Sequence, residues 1–230
     1  MDFNHKTHNL IILNYNPGSG GKFLSLCLSL HPYCLPMHDI FLRNKMEKTC
    51  DEEKNFLISK SVLDLSMKHK THIEFSHGRD LYGFDHTDDR QSQQVMANKL
   101  FSNLTRQDRY FFFLTNHFDH LQNFEHFRNA KHIVIHNDEK ILEMRGMTSS
   151  RLPTPSISGS FLFDMSTTRD PSLFFDQMSS LCIWLDIVCP SQLRLEDLRS
   201  RFIRNLQIPV QKMKSNWNKK GWFKGLAKKS

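Results

Sequence analysis

The clearest hydrophobic segments of the chain are three short runs rich in β-branched and aromatic residues. Continuous runs of this kind are typical of strands that are buried on both faces of a parallel sheet. A shorter run over 161–165 predicts one further strand. The three principal predicted strands are 9–15, 110–115 and 131–136.

Between and after these runs, apolar residues recur at helical spacing. Pro32 and Pro36 interrupt the first helical pattern, so we expect 31–36 to be a break. Segments 72–88 and 146–160 are predicted to be irregular, and the second of them is rich in Ser, Thr, Pro and Gly. The predicted helices are 22–30, 51–69, 90–106, 121–129, 138–145, 174–185 and 191–206.

This alternation of strands and helices predicts β-α-β units. We therefore expect an α/β fold with three layers, in which a central parallel sheet lies between helices. Ligands of such folds bind beyond the carboxyl ends of the strands. The polar residues that follow the three principal strands should therefore meet at one edge of the sheet. They are 14–22, 116–119 and 136–138.

The distribution of charge divides the chain into two parts. Its 230 residues are enough for one large domain. Seven lysines and no acidic residue lie in 211–230, so residues 1–210 contain 24 basic and 24 acidic residues. We predict an α/β domain over 1–210 and a basic C-terminal tail over 211–230. Its lysines and three aromatic residues favour an anionic partner for 212–230, a membrane surface or a nucleic acid.

Composition also bounds the chemistry. The five cysteines are odd in number and form no C-x-x-C pair, so we expect neither a disulfide framework nor a zinc site. The 13 histidines are scattered, and no H-E-x-x-H pattern accompanies them, so we expect no metal. No apolar stretch is long enough for a membrane span, and the N-terminus lacks the layout of a signal peptide. We expect a cytoplasmic protein of unspecified oligomeric state.

The segment after the first predicted strand has the composition of a phosphate-binding loop. Gly18, Gly20 and Gly21 let backbone N–H groups turn toward an anion, and the following helix points its positive end at the same place. Ser19 and Lys22 add a hydroxyl and a positive charge. The pattern G-x-x-x-x-G-K-[ST] is only half met, because the residue after Lys22 is a phenylalanine and not the hydroxyl residue that binds Mg²⁺.

The loop resembles the 5′-phosphosulfate loop of sulfotransferases, whose pattern is P-K-S-G-T-T-x-L. Pro17, Ser19, Gly20 and Leu24 match that pattern, and Phe23 stands where the family usually has Trp. The segment 114–118 is similar to the family's strand end K-T-H-L, and 133–137 to its strand ending in R-[DN]. The stretch from 163 to 185 is similar to compact sulfotransferase-like proteins of bacteriophage genomes. Together these similarities cover about 10–205.

The resemblance implies a transferase that moves a sulfuryl group from 3′-phosphoadenylyl sulfate to an acceptor hydroxyl or amine without a metal. It implies His117 as general base and Lys22 as a catalytic cation. His136 stands where the family has the arginine that binds the 3′-phosphate. The implied nucleotide-binding residues are Pro17, Gly18, Ser19, Gly20, Gly21, Lys22, Phe23 and His136. A bacteriophage protein of this kind would act in the host cytoplasm, and the acceptor is not specified.

Two other functions fit the same residues. One is a nucleotide-binding phosphotransferase that uses the loop with ATP. The other is an inactive protein of sulfotransferase fold that acts as a binding module through its basic tail. The missing hydroxyl after Lys22 disfavours the first of these, whereas the histidine in place of the family arginine at position 136 favours the second.

Overall fold

A computed structural model of the chain describes the residues that form most of the predicted strands and helices. They are 10–15, 20–36, 51–69, 110–115, 130–136, 138–144 and 157–207. The predicted helices 90–106 and 121–129, the predicted irregular segment 72–88 and the basic tail lie outside this set. No helix within it is long and apolar enough to cross a membrane.

Five strands and five helices follow one another along the described chain. The strands are β1 (Leu10–Asn14), β2 (Cys34–Pro36), β3 (Tyr110–Thr115), β4 (Lys131–His136) and β5 (Phe161–Asp164). The helices are α1 (Gly21–Leu28), α2 (Glu52–His69), α3 (Glu139–Met144), α4 (Pro171–Leu185) and α5 (Gln192–Leu206), and a 3₁₀ turn at Met165–Arg169 links β5 to α4.

The five strands form one parallel sheet in the order β2-β3-β1-β4-β5, which confirms the α/β prediction. Strand β1 is central: Asn14 pairs with Thr115 of β3 on one side and with Val134 of β4 on the other. The sequence predicts only a break over 31–36, whereas the structure has the strand β2 there. A strand of three residues shows no readable periodicity, and Pro36 is compatible with a strand at the edge of the sheet.

Alternate residues of β1, β4 and β5 face a core to which all five described helices contribute. Ile11 and Leu13 of β1, Ile133 and Ile135 of β4, and Phe163 of β5 belong to it. The residues between them point to the opposite face, where Ile12, Asn14, His132 and Val134 are also buried. Burial on both faces explains why these strands are continuous apolar runs in the sequence.

Helix α4 begins three residues before its predicted start. Asp170 is its N-cap and accepts hydrogen bonds from the N–H groups of Ser172 (2.8 Å) and Leu173 (3.0 Å), and Pro171 occupies the first turn. Both are typical of a helix start. The apolar pattern used for the prediction starts at Phe174, the first buried residue of the helix, and therefore misses the exposed first turn.

Candidate functional site

The turn from β1 into α1 depends on two glycines that are tightly packed. Gly20 is the N-cap of α1 and has a left-handed backbone, with φ of 80°. A Cβ at Gly20 would overlap the Met165 side chain, and a Cβ at Gly21 would overlap the ring of Tyr15, which is itself buried. Packing and backbone conformation therefore require these two glycines, whether or not the loop binds an anion.

The start of α1 differs chemically from the starts of the other described helices. At the starts of the other helices, carboxylates accept hydrogen bonds from backbone N–H groups. Asp51 accepts from Lys54 N in α2 (2.8 Å), Asp138 accepts from Lys140 N in α3 (2.9 Å), and Asp170 caps α4 in the same way. At α5, Glu52 accepts from the N–H of the N-cap Ser191 (3.0 Å). By contrast, α1 has a glycine N-cap and no acidic residue in its first turn. Its positive end is therefore suited to an external anion.

The side chain of Phe23 belongs to the core. Its ring has no exposed surface and stacks on Phe202 of α5, with centroids 4.1 Å apart and planes inclined by 7°. Phe174 of α4 lies 5.8 Å away, centroid to centroid. The resemblance implied Phe23 as a nucleotide-binding residue. The part of Phe23 that can face a ligand at the helix start is its backbone N–H, and the ring cannot.

The other predicted site residues are only partly within the described chain. Lys22, in the first turn of α1, is half-buried, and His136 is exposed at the carboxyl end of β4. Pro17, Gly18, Ser19 and His117 lie outside the described residues. Strand β3, which precedes His117, ends at Thr115 opposite Asn14. The parallel register thus brings the ends of β1, β3 and β4 to one edge, as predicted.

A further element at this edge was not predicted. The 3₁₀ turn after β5 contacts the loop, because Met165 packs against Gly20. Asp164 begins the turn by accepting a hydrogen bond from Ser166 N (2.9 Å), and the buried Arg199 of α5 donates to Thr168 O (2.7 Å). The residues involved are far apart in sequence, so no local pattern pointed to this arrangement.

The same turn contributes an arginine to the edge. Arg169 Nε lies 2.9 Å from Oδ2 of Asp138, whose side chain is 4% exposed, against 43% for Arg169. The Nε hydrogen points instead at Ser166 O (3.4 Å), and Asp138 Oδ2 has no aligned hydrogen bond within the described residues. The contact is therefore an ion pair without a linear hydrogen bond. The sequence analysis placed Asp138 at this edge but gave no signal for Arg169.

Removing the guanidinium should destabilise the fold. We expect Arg169→Ala to lower the free energy of unfolding by about 1–3 kcal/mol, because the buried Asp138 carboxylate loses its cation. Asp138→Asn retains the oxygen that caps α3, so the double variant should be more stable than Arg169→Ala alone. Urea denaturation of the unaltered protein, the two single variants and the double variant measures the coupling energy between the two side chains. Strictly additive changes would show that the two side chains do not interact.

Comparison with known proteins leaves the family prediction untested. No family model, no curated protein and no solved structure matches the chain. Within the described residues, no group of three or more His, Cys, Asp or Glu side chains could bind a metal ion. The site is thus defined by its own geometry: a glycine-capped helix start, a lysine in the first turn, and polar strand ends beside it.

Proposed function

We propose that the chain is a sulfotransferase-like enzyme that transfers a sulfuryl group from 3′-phosphoadenylyl sulfate to an acceptor hydroxyl or amine. The observation that carries the proposal is the start of α1. It follows the central strand of a parallel sheet, has a left-handed glycine as its N-cap and has no acidic residue in its first turn. This is the chemistry that a 5′-phosphate and its sulfate need.

In this reaction the sulfuryl group leaves the donor phosphate, which gains negative charge as the bond breaks. Backbone N–H groups and the dipole of α1 would stabilise that charge, together with the ammonium group of Lys22. The backbone N–H groups at the start of α1 are held in place before the reaction because Gly20 and Gly21 are packed against Met165 and Tyr15. A rigid arrangement of donors loses little energy to reorganisation during the reaction.

The position of Phe23 favours this donor over ATP with Mg²⁺. A P-loop that binds Mg²⁺ places a Ser or Thr hydroxyl directly after its lysine. Here that position has an aromatic ring, which is fully buried against Phe202 and leaves no oxygen to coordinate a cation. Sulfuryl transfer requires no metal and is compatible with the ring.

Arg169 is our candidate for the second phosphate of the donor. The resemblance assigns that phosphate to an arginine at the position of His136. Arg169 is the last residue of the 3₁₀ turn that follows the neighbouring strand β5. The first residue of this turn, Met165, contacts Gly20. The ion pair with Asp138 and the hydrogen bond to Ser166 O hold the Nε side of Arg169, and planar guanidinium groups bind phosphate through two parallel hydrogen bonds. His136 is exposed at the same edge and would add a hydrogen bond.

A thermal-shift comparison tests the proposal. Adenosine 3′,5′-bisphosphate at about 100 times its Kd should raise Tm by about 5–10 °C, whereas ATP with Mg²⁺ should have little effect. A shift with ATP and Mg²⁺ alone would replace the sulfotransferase with a phosphotransferase. The absence of a shift with either nucleotide would exclude both enzymes and favour an inactive fold that acts through its basic tail.

The lysine of the loop provides a second test. We expect Lys22→Ala to weaken binding of adenosine 3′,5′-bisphosphate by about 10- to 100-fold. This is the loss of affinity that corresponds to the free energy of one hydrogen bond to a charged group. Isothermal titration calorimetry measures the affinity. Lys54→Ala is the matched control, because this exposed lysine lies in the first turn of α2, where Glu52 pairs with Arg194 at the start of α5. Equal affinities of the two variants would remove Lys22 from the site.

A further inference from the structure

A pair of cysteines lies at the end of α4, away from the loop. Cys182 is in the last turn of this helix and is 1% exposed, whereas Cys189 lies in the segment that leads to α5 and is partly exposed. Both are free thiols. They have no part in the proposed transfer reaction, and the sequence analysis assigned no role to any cysteine.

The end of α4 folds the chain back on itself and brings the two thiols together. Asp186 has a left-handed backbone, with φ of 61°, and its N–H donates to Ile183 O (3.0 Å). The next N–H, of Ile187, donates to Cys182 O (3.0 Å). This is the hydrogen-bond pattern of a Schellman motif, which reverses the chain direction at a helix end. The segment after it therefore returns along α4.

After the reversal, Cys189 lies against one face of α4. Ser179 and Cys182 are three positions apart on this helix and share that face. The Ser179 hydroxyl donates to Cys189 Sγ (3.8 Å), and Cys182, one turn further along the same face, is close enough to the Cys189 sulfur for the two thiols to influence each other's pKa. Cys189 thus has a hydroxyl donor directed at its sulfur and a second thiol beside it.

These contacts make the two sulfurs chemically unequal. The hydrogen bonds from Cys182 and Ser179 lower the pKa of the Cys189 thiol to about 7, against opposing effects of burial and of Glu52. Arg194 pairs with Glu52 at 2.9 Å and so limits the effect of its charge. The interaction with Cys189, followed by burial, raises the pKa of Cys182. The more accessible sulfur therefore loses its proton at a lower pH than the buried sulfur does.

We propose that Cys189 is a peroxide-reactive thiol and that Cys182 is its resolving partner. The Cys189 thiolate attacks the terminal oxygen of a hydroperoxide, and the O–O bond breaks. The other oxygen leaves as hydroxide or alkoxide and takes up a proton from solvent, while Cys189 becomes a sulfenic acid. The Cys182 sulfur then attacks the Cys189 sulfur, its proton leaves with the departing hydroxyl as water, and a disulfide forms. With hydrogen peroxide, two thiols are oxidised to one disulfide and the peroxide is reduced to two molecules of water.

Two further cysteines in the core should not react. Cys27 of α1 and Cys34 of β2 have no exposed surface, and burial raises the pKa of each thiol. A peroxide cannot reach them in the folded protein, and they are protonated at neutral pH. Peroxide should therefore oxidise only the pair of Cys182 and Cys189, because Cys189 is partly exposed and its contacts favour the thiolate.

Graded oxidation of the full chain with hydrogen peroxide tests the proposal. Intact-mass measurement should show the loss of two hydrogen atoms, and peptide mapping should place the disulfide between Cys182 and Cys189. In Cys182→Ser, Cys189 should stop at the sulfenic acid, which a cyclic 1,3-diketone traps. Cys189→Ser should form no disulfide. Cys50→Ser removes a thiol outside the described residues and is the control that should behave as the unaltered protein.

The order of alkylation provides an independent measurement that needs no substitution. Iodoacetamide should modify Cys189 before Cys182, Cys27 and Cys34, with a rate that rises as the pH increases through about 7. A disulfide between any other pair would overturn the proposal. So would an unaltered protein that resists peroxide under conditions that oxidise its urea-unfolded form, or early alkylation of Cys182.

Discussion

Replacing Phe23 with alanine is expected to lower the free energy of unfolding by about 3–5 kcal/mol, the usual cost of removing a buried aromatic ring. The ring is fully buried and stacks on Phe202, and it also approaches Phe174. It therefore joins α1 to two helices of the same layer. Few substitutions in the described chain should cost more, and a typical domain has only about 5–15 kcal/mol of stability to lose.

The same substitution should disturb the loop. The Phe202 ring would lie 3.5 Å from a Cβ at Gly20, so the stacked pair lies directly beneath the start of α1. Loss of the Phe23 ring leaves a cavity there, and Phe202 and Met165 can move into it. We expect Phe23→Ala to weaken binding of adenosine 3′,5′-bisphosphate as a secondary effect of this movement.

Phe23→Leu separates a role in the core from contact with a ligand. Leucine restores most of the buried volume but has no aromatic face, so most of the stability and the affinity should return. Urea denaturation gives the first quantity and calorimetric titration the second. If the leucine variant is stable but has lost its affinity for the bisphosphate, the Phe23 ring contacts the nucleotide. The assignment of this ring to the core would then be wrong. A cost of less than about 1 kcal/mol for Phe23→Ala would contradict the stacking.

The sequence predicted those parts of the fold whose signal is local. Strands β3 and β4 have the predicted bounds, and α2 begins one residue later than predicted. A strand that is buried on both faces has apolar residues throughout, and a long amphipathic helix repeats its pattern several times. The three-residue β2 and the exposed first turn of α4 lack such repetition, and local patterns missed both.

Only the part of the candidate site that follows from the order of the strands and their parallel direction was predictable. The ends of β1, β3 and β4 at one edge followed from the alternation of strands and helices. The packing of Met165 on Gly20, the pair of Asp138 with Arg169, and the stack of Phe23 on Phe202 join segments distant in sequence. One sequence contains no signal for such contacts. For this reason the sequence shows neither the packing partners of Gly20 and Gly21 nor the burial of the Phe23 ring, and the resemblance implies Phe23 as a nucleotide-binding residue.

His117→Ala should reduce turnover by about 10²- to 10⁴-fold, the contribution of a general base, while leaving the affinity for adenosine 3′,5′-bisphosphate unchanged. The prediction depends on the proposed reaction, in which a base takes the proton of the acceptor. It also depends on position in the sequence. His117 follows β3 by two residues, and β3 pairs with the central strand that leads into the loop. The measurement is release of the bisphosphate from 3′-phosphoadenylyl sulfate with 2-naphthol as acceptor, because this hydroxyl keeps its proton at neutral pH.

His136→Ala is the matched control, because it removes a second histidine from the end of a strand on the other side of β1. As a nucleotide-binding residue, His136 should affect mainly the affinity for the bisphosphate and the KM for the donor. The two variants should therefore separate kcat from binding. If both lose affinity and retain kcat, neither histidine is the base. If His117→Ala retains full turnover, the acceptor proton leaves by another route and only the phosphate-binding part of the proposed site stands.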